Sequence, residues 1–79
     1  MNSLLKSDLE IFPNTGLFLT LREKECLEWV SKGKTSSEIS IIIGISARTV
    51  EEHIARSKKR FNCYNLPSLI YKVTKLGFI

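Results

Sequence analysis

The stretch GISARTVEEHIARSKKRF, residues 44–61, decides how this chain folds. Gly44, Ile45 and Ser46 make a three-residue break, with Ser46 placed to cap whatever follows. From there Val50, Ile54, Ser57 and Phe61 recur at spacings of four and three, which puts them on one face of a helix. A helix from Ala47 to about Phe61 is predicted, packing that face inward. The same stretch raises a question of charge. Glu51 and Glu52 stand side by side early in the helix, while Arg48 precedes them and Arg56, Lys58, Lys59 and Arg60 follow.

Working outward, the residues just upstream form a compact helix. Thr35 and Glu38 have the capping-box spacing, and the helix runs to about Ile43, burying Ile39, Ile42 and Ile43. Gly44 ends it. Two short helices joined by a Gly-Ile-Ser turn are a helix-turn-helix, in which the first lies across a sugar-phosphate backbone and the second enters the major groove. Further upstream, Thr20 and Glu23 repeat the capping-box spacing and open a helix with Cys26, Leu27 and Val30 on one face and Trp29 at its edge. Gly33 suits the left-handed residue past that helix's end. Downstream, Asn65 caps a last helix whose Pro67 is tolerated in the first turn. Leu69, Ile70, Val73 and Leu76 form its apolar stripe and Gly77 its end. No period-two strand is predicted.

Residues 1–18 read as a lead segment or linker. In it Leu4, Leu5, Leu9 and Phe12 fit one face of a short helix, and PNTG at 13–16 is a turn signal. The expected architecture is all-α: a four-helix bundle over residues 19–79 preceded by that segment.

The 79 residues suffice for one small domain. The net charge is +4, and since Lys6, Asp8 and Glu10 leave the lead segment at −1, residues 19–79 carry the positive excess. A small basic domain points toward nucleic acid or another anionic surface. No window approaches the roughly 20 apolar residues of a membrane span, and the N-terminus lacks the pattern of a secretory signal. Cys26 and Cys63 form no CxxC pair and read as reduced core or near-core thiols, which fits a cytoplasmic protein. His53 has no companions at metal-ligand spacing. No nucleophile–base pair, Gly-rich phosphate loop or cofactor motif is visible, so an enzyme is not expected. No cofactor, no metal, no membrane and no small-molecule ligand are expected of this chain.

The residues LTLREKECLEWVSKGKTSSEISIIIGISARTVEEHI closely resemble the LuxR-type helix-turn-helix domain, also called the GerE or FixJ C-terminal type. The motif positions are Leu19, Thr20, Arg22 and Glu23; Gly33, Lys34 and Thr35; Glu38 and Ile39; and Gly44, Ile45, Ser46, Thr49, Val50 and His53. The ending KLGFI matches as well, and REKECLEWVSKGKTS is nearest to the quorum-sensing branch. The resemblance implies a four-helix DNA-binding domain of bacterial transcription regulators, acting as a homodimer whose fourth helix makes the dimer contact, here through Leu69, Val73 and Leu76. It places Thr35 and Ser36 where a helix N-terminus meets phosphate, Thr49 and Lys59 at the DNA backbone, and Glu51, Glu52 and Ala55 at base edges. His53 takes an architectural position.

Arg48, Arg56, Lys59 and Arg60 are expected to hold phosphates on both sides of the groove. The two glutamates carry two readings. As structural residues they favour a helix N-terminus, and Glu52 pairs with Arg56 four residues on. As reading residues one carboxylate accepts from cytosine N4 while Ala55 touches a thymine methyl. The competing function is a protein-interaction module of the same fold, heterodimerising through the last helix, that has lost DNA reading. The chain reads either as a stand-alone small regulator or as part of a longer one.

Overall fold

The computed structural model describes residues 9–11 and 16–79. Two short strands, β1 (Leu9–Ile11) and β2 (Phe18–Thr20), lead into four helices: α1 (Leu21–Ser31), α2 (Ser36–Ile43), α3 (Ala47–Arg60) and α4 (Leu66–Lys75). The strands pair antiparallel, with Leu9 opposite Thr20 and Ile11 opposite Phe18. This corrects the reading that found no strand and put Leu9 on a helix. A three-residue ladder is too short to show a period, and it gains its order from the helices behind β2. Leu4, Leu5, Phe12 and most of the PNTG turn lie outside the described residues.

Each helix starts where its cap permits. The Thr20 hydroxyl accepts from the Glu23 amide at 3.1 Å while the Glu23 carboxylate accepts from the Thr20 amide at 3.0 Å. Thr35 and Glu38 repeat that reciprocal pair. Ser46 accepts from the Thr49 amide at 3.0 Å, and Asn65 from that of Ser68 at 2.9 Å. Each of these side chains satisfies a first-turn N–H that has no partner within its helix.

The ends are equally determined. Gly44 closes α2 at φ 75°, and a Cβ there would meet nothing within 4 Å. Glycine is therefore needed for its backbone angle and not for space. Past α3 the left-handed residue is Asn62, at φ 55°. Its amide bonds the Lys59 carbonyl at 3.2 Å and the next amide, that of Cys63, bonds the Lys58 carbonyl at 2.8 Å. Together these form a Schellman closure, in which asparagine is tolerated better than most side chains. Lys72 on α4 donates to the Phe61 carbonyl at 3.0 Å, tying the same helix end to its neighbour.

The core is Leu19, Cys26, Leu27, Ile39, Val50, Ile54, Phe61, Leu69, Val73 and Phe78. Phe61 and Phe78 meet edge to face at 5.4 Å, so the chain's penultimate residue plugs the bundle. The inward face predicted for α3 is buried throughout, including Ser57, whose hydroxyl donates to the His53 carbonyl. Ile42 departs from expectation: it is 44% exposed, and its neighbour Ile41 is 83% exposed. Three consecutive isoleucines span more of the helix circumference than the core covers, so Ile39 alone is fully buried and Ile43 packs at the margin.

Both cysteines are free, with Cys26 buried and Cys63 half-buried. Burial pushes the Cys26 thiol up to about 11, with neighbouring glutamates adding to the effect. Under native conditions at pH 8, iodoacetamide is expected to add to Cys63 alone, with a second adduct after denaturation. Mass spectrometry showing both adducts at equal rates in the folded protein would contradict this burial.

Candidate nucleic-acid interface

The helix-turn-helix is built from α2, the turn at Gly44, Ile45 and Ser46, and α3. Because a helix turns about 100° per residue, fixing Val50, Ile54, Ser57 and Phe61 inward fixes every other side chain of α3. Arg48, Glu52, Ala55, Arg56 and Lys59 fall on the opposite, exposed face. Thr49 is half-buried at the edge. Glu51 and Lys58 turn to one flank, where they line a cleft of about 320 Å³ with Ser36, Ile54, Ala55 and Leu66. The structure thus gathers Ser36, Glu51 and Ala55 at one place and adds Lys58, which the sequence reading left as one more cation of a tract.

Charge on this face is partly paired. Arg48 and Glu52 approach to 3.4 Å, both substantially exposed. Glu52 was expected to pair with Arg56; the structure corrects this to the arginine one turn earlier. Such a pair is weak and exchangeable in water, so a phosphate can take Arg48 from it at small cost. Arg56 Nη2 lies 3.4 Å from His53 Nδ1. His53 is held below its ordinary pKa by burial and then by the Arg56 charge, so the neutral ring presents an acceptor nitrogen at neutral pH. Glu51 has no cationic partner among the described residues. It is the one carboxylate of α3 left open to a donor from outside.

At the N-terminus of α2 the capping box uses part of the anion-binding capacity. The Thr35 amide goes to Glu38 and the Glu38 amide to the Thr35 hydroxyl. The Glu38 carboxyl is held below its usual range by that backbone hydrogen bond, with Lys34 assisting. What remains for an incoming anion are the first-turn amides of Ser36 and Ser37, for which a helix supplies no internal acceptor.

Four assigned residues are placed elsewhere by the structure. Arg60 does not point outward with the other basic side chains of α3. Its guanidinium turns inward, donating from Nη1 to Glu23 Oε1 at 2.6 Å and from Nη2 to Glu23 Oε2 at 3.1 Å. Nη1 also donates to the Phe18 carbonyl at 3.1 Å, and the guanidinium carbon sits 4.0 Å from the Phe18 ring centroid. Glu23 is 1% exposed. Burial works to raise its carboxyl, but the Arg60 and Thr20 hydrogen bonds and the Arg60 charge prevail and hold it below the usual carboxylate range. The signal was present in the sequence: Glu23, Cys26, Leu27 and Val30 share one stripe of α1, so a carboxylate on an apolar stripe required a cation. Leu69 and Val73 are fully buried within the single chain, so no dimer contact can be built on them, and Leu76 packs against the same core. The outward face of α4 instead presents Pro67 and Tyr71, the latter 67% exposed.

Among the described residues, no group of three or more His, Cys, Asp or Glu is placed to hold a metal ion, and no helix is long and apolar enough to cross a membrane.

Comparison with known proteins gives a consistent answer. Residues 17–73 match the family described as "Bacterial regulatory proteins, luxR family". The chain is 42% identical over 73 residues to the transcriptional activator protein AnoR of Acinetobacter nosocomialis, covering 92% of this chain and 30% of AnoR. It is 44% identical over 61 residues to the transcriptional activator protein LuxR of Aliivibrio fischeri, covering 77% of this chain and 24% of LuxR. The solved structure of the transcription factor GerE superposes with a TM-score of 0.75 at 28% identity, over 76% of this chain and 90% of that one. The chain therefore spans 30% of the length of AnoR and 24% of that of LuxR.

Proposed function

The chain belongs to the LuxR family of bacterial regulatory proteins, and from that premise we propose that it binds double-stranded DNA in the cytoplasm as a sequence-reading homodimer. The observation that carries this reading is the exposed face of α3. There Arg48, Arg56 and Lys59 surround Ala55, and the unpaired Glu51 shares a cleft with Lys58 and the N-terminus of α2. The cations supply affinity through phosphates, which is the larger and sequence-independent share of the binding energy. Glu51 then supplies selectivity by accepting from a cytosine N4 amine, and Ala55 by contact with a thymine methyl. Glu52, paired to Arg48, acts mainly on its own helix.

The homodimer contact falls to the outer face of α4, around Tyr71 and Pro67, in place of the buried leucine and valine. Two copies joined there present their α3 helices to half-sites about 34 Å apart, one turn of duplex.

The test is a mobility-shift titration against a duplex selected by this protein from a randomised 20-base-pair pool, beside a scrambled duplex of equal length. Binding to the selected duplex is expected to be tighter, with amide shifts concentrated at Ser36, Arg48 and Lys59. Absence of any shift at low salt up to high micromolar protein sinks the reading and leaves a protein-interaction module of the same fold. Glu51→Ala is expected to strengthen binding to the scrambled duplex while narrowing the difference between the two. Tighter binding with an unchanged difference would mean that Glu51 only repels.

A further inference from the structure

Arg60 joins the end of α3 to two adjoining segments, β2 and the start of α1, that lie about 40 positions earlier in the sequence. It stands in the last turn of α3, its fork grips Glu23 in the first turn of α1, and its remaining Nη1 proton and flat face meet the carbonyl and ring of Phe18 in β2. Phe18 is in turn paired by its backbone to Ile11 of β1. Glu23 is locked from its other side by the Thr20 amide. Both carboxylate oxygens of Glu23 and both terminal nitrogens of Arg60 are engaged, and Glu23 is almost fully buried. Such a clamp has one arrangement and little tolerance. We infer that Phe18, Arg60 and Glu23 are positioning residues for DNA reading: the strand before the helices sets the direction of α3, and with it the placement of Glu51 and Ala55 against base edges. This rests on the DNA-binding reading above and extends it to residues that never meet DNA.

The geometry explains why the two kinds of contact respond differently. Glu51 precedes Arg60 by nine residues, about 14 Å along the axis, so a change of about 5° in helix direction moves it by about 1 Å. A short carboxylate or a methyl group loses its hydrogen-bond or van der Waals distance over such a displacement. Lysine and arginine, on long flexible stems, follow a phosphate across it. Loosening the clamp should therefore erode sequence discrimination and leave general affinity intact. Phe18 is the informative position because its ring supplies the stacking surface, while its backbone carbonyl survives any substitution.

The experiment compares Phe18→Leu, Phe18→Tyr and Arg60→Lys with the parent chain, measuring affinity for the selected and scrambled duplexes at a temperature where circular dichroism shows each variant folded. Phe18→Leu keeps apolar bulk but removes the π face. It is expected to lower the selected-to-scrambled ratio by about fivefold or more, the scale of one lost base contact, with affinity for the scrambled duplex unchanged. Phe18→Tyr restores the ratio. Arg60→Lys, which keeps the charge but loses the two-pronged grip, lowers the ratio as Phe18→Leu does. A ratio within twofold of the parent in both Phe18→Leu and Arg60→Lys overturns the inference while leaving DNA reading in place. Equal loss on both duplexes overturns it too, since the cluster would then serve only as scaffold. A parent chain that fails to discriminate between the duplexes overturns both this inference and the reading it rests on.

Discussion

Arg60→Ala is expected to destabilise the fold by about 3–5 kcal/mol at pH 7, the range for removing one partner of a buried ion pair. Most of that is the cost of leaving the Glu23 carboxylate, 1% exposed, without its cation. A domain of this size has about 5–10 kcal/mol to lose in total, so the variant should melt far below the parent. Glu23→Gln should cost less. The arginine it strands is 22% exposed and reaches water, and the amide retains an oxygen for the Thr20 N–H.

The pH dependence has a definite sign. In the parent, Glu23 is held below its unfolded value, so its contribution is present above the unfolded carboxyl range and lost as pH falls through the lowered folded pKa. In Arg60→Ala burial acts with less opposition and raises the carboxyl. The folded variant then takes up a proton more readily than the unfolded chain, and its deficit relative to the parent should shrink between pH 7 and pH 4. Urea denaturation at those two pH values checks both statements. A deficit under about 1 kcal/mol at pH 7 would falsify the view that this pair is an interior one.

Much of this was readable from residues whose role is local. Caps act over three or four positions, so Thr20, Thr35, Ser46 and Asn65 announced the helix starts without knowledge of the tertiary fold. The inward face of α3 was equally plain, because four positions at helical spacing admit one face. What escaped the sequence was set by neighbours distant along the chain. Arg60 looked like the end of a basic tract: the apolar stripe of α1 asks for a cation at Glu23, but nothing local says which cation, 37 positions on, supplies it. Leu69 and Val73 looked like an interface because an apolar stripe does not say whether its cover is the same chain or another. Three isoleucines in a row could not show which of them the core would take. The β1–β2 pairing, three residues on each side, lies below the length at which alternation carries information.

On the outer face of α3 the basic residues were legible but which of them point outward was not, and salt makes that division measurable. With Arg60 committed to Glu23, the outward cations of α3 are Arg48, Arg56, Lys58 and Lys59. If each neutralises one phosphate, log affinity falls with log salt at a slope of about −3.6 per chain, so raising salt from 50 to 200 mM weakens binding about a hundredfold. Lys59→Ala should make the slope shallower by about one and weaken binding to every sequence alike. Arg60→Ala, measured at a temperature where it is folded, should leave the slope where it was, because a guanidinium locked to a carboxylate releases no counterion. Those two variants distinguish neighbours in sequence that are both basic: Lys59, proposed to meet phosphate, and Arg60, which faces the protein. A slope that changes equally in both would return Arg60 to the phosphate set and remove the premise on which its interior role stands. A parent slope shallower than about −1 would go further, since four outward cations that displace no counterions cannot be lying along a duplex.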